Sequence, residues 1–339
     1  MSTSPLPPVV QRVFDLQVAY LKRGLAPGMN LAIWYDQRWH TNSTGTISSG
    51  VASTNDHVLY DLASVTKLVT ALQILELAAR AKLLLTSKIS TYLPYLEPLP
   101  LTVEECLMHR GKICLVRRYN KNQIYSRQDL EKFFLRGENL YVERPGDYNY
   151  GDTGYLYLGL LVEHITGTTL EMATTQFCAR NKLPEIMYNP LQRAASPCTV
   201  APSQKDVETG LVQDEKARWY GGACGHAGLF GSAYGLMSLA KALLNEQFAL
   251  PGNNYNLLYN PYFPVSPKTG MSFSVGGIRR GLFSSAPNIT GYSGCGLFLW
   301  PVTNMAIICT TNITYPTRKQ DRSLYHEFSR ALGSIGDGP

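Results

Sequence analysis

The feature that most constrains this chain is a change of hydrophobic period along its length. Residues 29–45, "MNLAIWYDQRWHTNSTG", read as a β-hairpin: an apolar strand, a polar turn around Asp36 and Gln37, and a return strand. A helical pattern over Val9 to Arg23 precedes it and ends near Gly24 and Pro27. Helical spacing dominates from Ser64 to about Gln247. It includes a helix opened by the capping box "TVEE", with Thr102 as cap and Glu105 reaching back, and "YLYLGLLVEHITG", closed by Gly167. From about Ser272 the period returns to two. "MSFSVGGIRR", "ITGYSGCGLFLWP" and "NMAIICTTN" read as successive strands, and "RSLYHEFSRALGS" as a final amphipathic helix. Strands at both chain ends with helices between them predict an α+β fold, with one antiparallel sheet assembled from the termini and flanked by helices. The expected division is a single domain over 1–339, with a sheet subdomain at about 9–63 and 231–335. A helical subdomain at about 64–230 is inserted, and the cleft between the two parts holds the site.

Composition narrows the function classes. A chain of 339 residues, 45% hydrophobic and 17% charged, can bury one large core. Its net charge of +6, from 31 basic and 25 acidic residues, falls short of a nucleic-acid-binding signature. The seven cysteines (Cys106, Cys114, Cys178, Cys198, Cys224, Cys295, Cys309) contain no CxxC pair, and the six histidines do not join them at metal-ligand spacing, so reduced thiols and no metal are expected. Cys295 and Cys309 fall on expected core strands as packing residues. The first residues, "MSTSPLPPVVQRVF", lack a basic region followed by an apolar core. The most apolar long stretch, "LVTALQILELAARAKLLL", carries Glu76, Arg80 and Lys82, which marks a buried helix and not a membrane span. A cytoplasmic location follows as the expectation.

The candidate chemistry lies in "DLASVTKLVT", where Ser64 and Lys67 stand three apart at the opening of a helix. At this composition about one SxxK match arises by chance. The chain has a second, Ser238 with Lys241, placed mid-helix behind the N-cap Ser232, where a serine is solvated or bonded back to a carbonyl. Ser64 instead follows the strand-like "HVLYDLA", at a junction where helix N–H groups stabilise developing negative charge. Lys67 lies one turn on, on the same face, and a desolvated lysine can activate a hydroxyl. A capping serine followed by a snorkelling lysine accounts equally well for this segment alone.

Other stretches add to it. "DLASVTKLVTALQILELAARAKLLLTSKISTYLPYL", "LTVEECLMHRGKI", "RPGDYNYGDTGYLYLGLLVEHITG", "GGACGHAGLFGSA" and "TGYSGCGLFLWP" with "TTNITYPTR" occur in the order found in the serine β-lactamase and penicillin-binding-protein-like hydrolases. The chain resembles in particular the branch containing class C β-lactamase-like esterases, from about Pro27 to Arg318. The resemblance implies the β-lactamase/transpeptidase-like fold and an acyl-enzyme formed on Ser64, with Lys67 and Tyr150 sharing its proton. It also implies an oxyanion hole of the Ser64 and Tyr292 backbone N–H groups, a third motif at Ile289, Thr290 and Gly291 lining the substrate, and no metal or organic cofactor. An unperturbed phenol titrates near pH 10, so Tyr150 needs a cationic neighbour, and Lys67 is the candidate.

Two departures from the family pattern bear on specificity. The usual Tyr-x-Asn is "YGD", with Asp152 in place of the amide; an ionised aspartate only accepts hydrogen bonds and holds Lys67 charged, which moves the base role towards Tyr150. Asp152 is also placed to cap the helix starting near Thr153. The usual Lys-Thr-Gly or His-Thr-Gly is "ITG", so Ile289 cannot supply the cation with which relatives hold a substrate carboxylate. Both changes favour a small ester or acyl substrate without that anchor, D-amino-acyl esters included, over a penicillin. An acyltransferase, a D,D-peptidase or β-lactamase, and a non-catalytic binding homologue are the alternatives. His226 and His109 are expected to fix loops, and the basic segment 112–127 (Arg117, Arg118, Lys121, Arg127) to be a solvated loop or an attractor of anions. Oligomeric state is not legible.

Overall fold

In a computed structural model of the chain, the structure describes residues 5–337 except 49, 51, 98, 121, 122, 124, 194–198, 260–271, 274–278, 281–285 and 320. Helix α1 (Pro8–Lys22) leads into the hairpin β1 (Gly28–Tyr35) and β2 (Arg38–Gly45). Asp36 and Gln37 both take positive φ at its tip, the geometry a two-residue turn needs to match strand twist. A two-residue strand β3 (Tyr60–Asp61) and one 3-10 turn (Ala63–Val65) precede α2 (Thr66–Ala79). Next come α3 (Val103–Leu107), β4 (Arg110–Leu115), α4 (Arg127–Phe134), β5 (Leu140–Tyr148), α5 (Thr153–Thr166) and α6 (Leu170–Arg180). They are followed by β6 (Ile186–Met187), α7 (Pro190–Arg193), α8 (Glu215–Trp219), β7 (Phe230–Gly231), α9 (Ala233–Leu244) and α10 (Asn256–Tyr259). The chain closes with β8 (Ser272–Phe273), β9 (Arg279–Arg280), β10 (Asn288–Thr290), β11 (Gly296–Trp300), β12 (Met305–Thr311) and α11 (Ser323–Gly333).

The main sheet is antiparallel, in the order β2-β1-β12-β11-β10-β9-β8, so the first hairpin pairs with the last strand. Side-chain alternation gives that sheet two buried faces. Met29, Leu31 and Ile33 of β1, with Met305, Ile307 and Cys309 of β12, pack under α1 and α11 through Val13, Phe14, Phe328 and Leu332. The intervening Ala32, Trp34, Ala306 and Ile308 join the core that holds α2, α5 and α9. Burial on both faces is why β1 and β12 read as nearly continuous apolar runs. Helix α2 sits deepest: every residue from Thr66 to Glu76 is buried, so it lacks the polar face of a surface helix.

The Thr102–Glu105 capping box forms as expected, and Gly167 closes α5 at φ 68°. Three readings of the sequence need correction. The stretch from Ser64 to Gln247 is not only helical: β4 and β5 pair as a hairpin between α3 and α5. Arg144 and Gly146 at positive φ, and a register shift between Arg110 and Lys112, interrupt the period-two signal there. "ITGYSGCGLFLWP" is two strands and not one, with β10 and β11 joined by a tight turn over residues 291–295, and Cys295 lies buried in that turn. "HVLYDLA" contributes only the two residues of β3. Most of "MSFSVGGIRR", along with Lys121 and Cys198, lies outside the described residues; the six described cysteines are unpaired thiols. Among the described residues no helix is long and apolar enough to cross a membrane.

Candidate active site

The turn carrying Ser64 is held from three sides. β3 pairs with β7, and the Leu62 N–H donates to the Leu229 carbonyl at 2.8 Å. Asp61 is buried, and its carboxylate accepts from the Ala63 N–H at 2.8 Å and from the Gln213 N–H at 2.7 Å. Burial pushes the Asp61 carboxyl up to about 6, against those two hydrogen bonds. Ala63, the donor of the first of these bonds, takes φ 47°, a left-handed conformation that costs a non-glycine residue about 1–2 kcal/mol. Strain of that kind persists only where the surroundings over-determine it, and here it aims the serine.

Lys67 is fully buried and has three acceptors: Ser64 Oγ at 2.9 Å, Asp152 Oδ1 at 3.1 Å and the His226 carbonyl at 3.3 Å. An ammonium has three donors, so the charged form is saturated in this geometry. Burial opposes the charge, but the Tyr150 and Asp152 oxygens outweigh it and raise the Lys67 pKa. Asp152 occupies the N-cap position of α5, yet its side chain makes no capping bond. The capping role expected for it is therefore not the one it fills: its second oxygen accepts from Lys216 Nζ at 2.8 Å. Burial opposes ionisation of Asp152, and Lys67, His226 and Lys216 together hold its carboxyl far below the usual range.

Beside this pair, His226 Nε2 lies 3.0 Å from Asp214 Oδ1, and its neighbours Cys224 and Asp214 carry the imidazole up to about 10 despite its burial. The ligand atoms of Asp152, Asp214 and His226 lie within 4.8 Å of one another, a spacing a metal could use. Both Asp152 oxygens are already committed to ammonium groups and His226 Nε2 faces Asp214, while the buried His226 Nδ1 has no hydrogen-bond partner among the described residues.

Tyr150 follows β5 and is 46% exposed. The Lys67 ammonium lies 5.0 Å from its ring centroid. Burial of the phenol raises its pKa, and the Lys67 charge more than reverses this, leaving Tyr150 below its ordinary value. His109 packs its ring 4.5 Å from Tyr150 and 5.0 Å from Tyr155. It also accepts at Nδ1 from the Gly151 N–H at 3.4 Å. Burial, helped by the nearby Lys67, pushes its pKa down to about 3, so His109 is a neutral prop for the tyrosine.

The opposite wall comes from the β10–β11 turn. Gly291 approaches the serine turn so closely that a Cβ would stand 2.4 Å from the Leu62 carbonyl oxygen, and its N–H is tied to the Cys295 carbonyl at 2.7 Å. Ser64, Lys67, Tyr150, Ile289, Thr290, Gly291 and Tyr292 line one cavity of about 160 Å³. Ile289 is only 3% exposed and forms its apolar wall. Neither the Ser64 nor the Tyr292 N–H donates to a backbone carbonyl among the described residues. A larger groove of about 1090 Å³ between Tyr95, Arg127 and Glu163 contains none of these groups.

The second SxxK is as expected. Ser232 caps α9 by accepting from the Gly235 N–H at 3.0 Å, and Ser238 bonds back to the Tyr234 carbonyl at 3.2 Å. In the basic segment, Lys112 pairs with Glu143, Arg127 with Glu131 and Glu163, and Arg117 and Arg118 are exposed. The sequence reading missed Lys216 and the residues of α11 that line the cavity, Arg322, Tyr325, His326 and Ser329. "QDEKARW" has no motif around Lys216, and α11 displays only amphipathic periodicity, so neither carries a local signal.

The chain is similar to known proteins in sequence and in fold. The chain is 26% identical over 310 residues to an N-acetylmuramyl-L-alanine amidase of Bacillus subtilis, covering 77% of this chain and 69% of that protein. It is 26% identical over 298 residues to a putative D-alanyl-D-alanine carboxypeptidase of Escherichia coli, covering 75% and 69%. In fold it is similar to EstCE1, described as a hydrolase with promiscuous acyltransferase activity, with a TM-score of 0.76 at 17% identity over 97% of this chain and 98% of that one. The family model that matches, over residues 15–330, is that of the beta-lactamases: the chain belongs to the beta-lactamase family, on the fold shared by serine β-lactamases and penicillin-binding proteins.

Proposed function

We propose that this protein is a serine hydrolase that forms an acyl-enzyme on Ser64 and acts as a carboxylesterase on small esters. The observation that carries the reading is the 2.9 Å contact between Lys67 Nζ and Ser64 Oγ at the floor of a cavity that Tyr150 also lines. Lys67 is saturated as an ammonium, so it cannot take the serine proton; it orients Ser64 and lowers the pKa of Tyr150. The Tyr150 phenolate is then the base. Ser64 Oγ attacks the ester carbonyl as its proton passes to Tyr150, and the carbonyl oxygen takes up charge between the Ser64 and Tyr292 N–H groups. Collapse of the tetrahedral intermediate breaks the C–O bond, and Tyr150 returns the proton to the departing alcohol. Water repeats the sequence on the acyl-enzyme and releases the acid. No step requires a metal or an organic cofactor.

Asp152 in place of an amide, and the apolar Ile289 wall, favour an ester over a β-lactam. The cavity volume corresponds to about five waters, enough for a short acyl group. Turnover of p-nitrophenyl acetate should fall at least about a thousandfold in Ser64→Ala, and that variant should lose labelling by a fluorophosphonate probe. Undiminished turnover would refute the assignment. The open edge of the cavity at Tyr150 also admits an alcohol in place of water, which favours acyl transfer as the second reading. Transacylated product on adding an acceptor alcohol would establish it, and fast nitrocefin hydrolysis would restore the β-lactamase alternative.

A further inference from the structure

We propose that Asp61 is a positioning residue of this site, whose ionised carboxylate ties the nucleophile turn to the segment that carries the buried charges. The inference rests on the reading of Ser64 as the nucleophile and adds to it a group that does not line the cavity. Each carboxylate oxygen of Asp61 has one backbone partner. Oδ1 accepts from the N–H of Ala63, the residue before Ser64, at 2.8 Å, and Oδ2 from the Gln213 N–H at 2.7 Å. Gln213 immediately precedes Asp214, the partner of His226, and lies three residues before Lys216, the partner of Asp152. Asp152 meets Lys67, and Lys67 meets Ser64. The contacts therefore close a ring at Ser64. One side runs through Lys67, Asp152 and Lys216, the other through Ala63, Asp61 and Gln213.

Both arms of the second side depend on the carboxylate. The side-chain Oε1 and Nε2 of Gln213 are buried without a hydrogen-bond partner among the described residues. Its backbone holds it instead, through the N–H to Asp61 and the carbonyl to Arg318. On the other arm Ala63 takes positive φ, a conformation that its surroundings must hold in place. Only an ionised carboxylate offers an acceptor to each N–H; a protonated acid or an amide turns a donor towards one of them. Burial, with Asp214 on α8, pushes the Asp61 carboxyl up, while the two N–H bonds and Arg318 beyond β12 pull it down, and it titrates at about 6. From the β10–β11 turn the Cys295 thiol donates to the Asp61 carbonyl at 3.7 Å. Below that pH one arm of the ring is released.

The test compares the purified protein with Asp61→Asn, which stands in for the protonated acid, by the rate at which a fluorophosphonate probe labels Ser64. At about pH 8 the wild type should label about tenfold faster or more, the loss of one hydrogen bond to a charged group. The ratio should fall towards one as the pH drops through about 6, where the wild type itself takes up the proton. An acidic limb that belongs to Tyr150 is common to both proteins and cancels. A ratio that stays the same at every pH is the mark of a merely structural loss and would overturn the proposal. Where Asp61→Asn does not fold, the wild-type profile decides: its acidic limb should steepen below about pH 6 beyond tenfold per pH unit, and an unbroken limb overturns the proposal. Amide exchange is followed in parallel by mass spectrometry on peptides covering 61–66 and 211–216, which should both exchange faster in Asp61→Asn. A change confined to one peptide would show that the two arms are not coupled and would overturn the proposal. A wild type that takes no label, with both peptides responding, would instead count against the reading of Ser64 as nucleophile alone.

Discussion

At the scale of single residues, charge count favours Tyr150 as the base in the proposed mechanism. Lys67, Lys216 and a protonated His226 contribute three positive charges, and Asp152 and Asp214 two negative ones. Three minus two leaves one positive charge uncompensated, which in the proposed mechanism a Tyr150 phenolate would neutralise. Lys216 touches Asp152 and does not line the cavity, so the proposed mechanism makes it a positioning residue with a distinct signature. In Lys216→Met the remaining charges favour the phenolate less, and the Tyr150 pKa rises. Activity that depends on the phenolate is lost as pH falls through that pKa, so the acidic limb of kcat/KM should move to higher pH. On that limb, a Tyr150 pKa higher by about one pH unit lowers activity about tenfold, and Lys216→Arg should hold the limb in place. A pH–rate profile on p-nitrophenyl acetate checks this, and an unmoved limb in Lys216→Met would exclude the role.

Among the secondary-structure elements, one carbonyl governs how closely the two walls meet. Leu62 O accepts from the Val65 N–H at 3.0 Å within the serine turn, and the β10–β11 turn rests against it at Gly291. Gly291→Ala places a methyl 2.4 Å from that oxygen, so the turn must retreat and carry the Tyr292 N–H away from Ser64. A displacement of about 1 Å at a reacting centre costs about a hundredfold in rate. Fluorophosphonate labelling should slow by that order while far-UV circular dichroism stays unchanged. The elements differ in how well their residues announce them. The Asp36–Gln37 hairpin and the Thr102–Glu105 cap carry their own turn and cap chemistry in adjacent residues, which is why they were legible. The β4–β5 hairpin was not, because its pairing joins segments separated by α4 and its bulged backbone breaks the alternation that marks a strand.

Across the whole molecule, α11 serves both the core and the site. Phe328 is 1% exposed and its ring lies 5.0 Å from that of Tyr20 on α1, sealing one face of the sheet, while Arg322 and His326 at the same helix line the cavity. Phe328→Ala should cost about 3–5 kcal/mol in urea-monitored unfolding, the range for removing a buried aromatic ring. It should also raise KM for p-nitrophenyl acetate, because the helix that lines the cavity with Tyr325, His326 and Ser329 loses its seat. Loss of stability with KM unchanged would show that the sheet alone positions the cleft.

By itself the sequence determined the fold class, the opening of the helix that carries Ser64 and Lys67, and the order of the motifs. Those depend on hydrophobic period, on capping residues and on short spacings such as Ser64 to Lys67, all of which reside in contiguous chain. Only the tertiary structure decided that Asp152 bridges two lysines instead of capping its helix. The physical reason is that Coulomb interactions and hydrogen bonds depend on distance in space. Residues 67, 152 and 216 meet only after the helices that carry them have packed together.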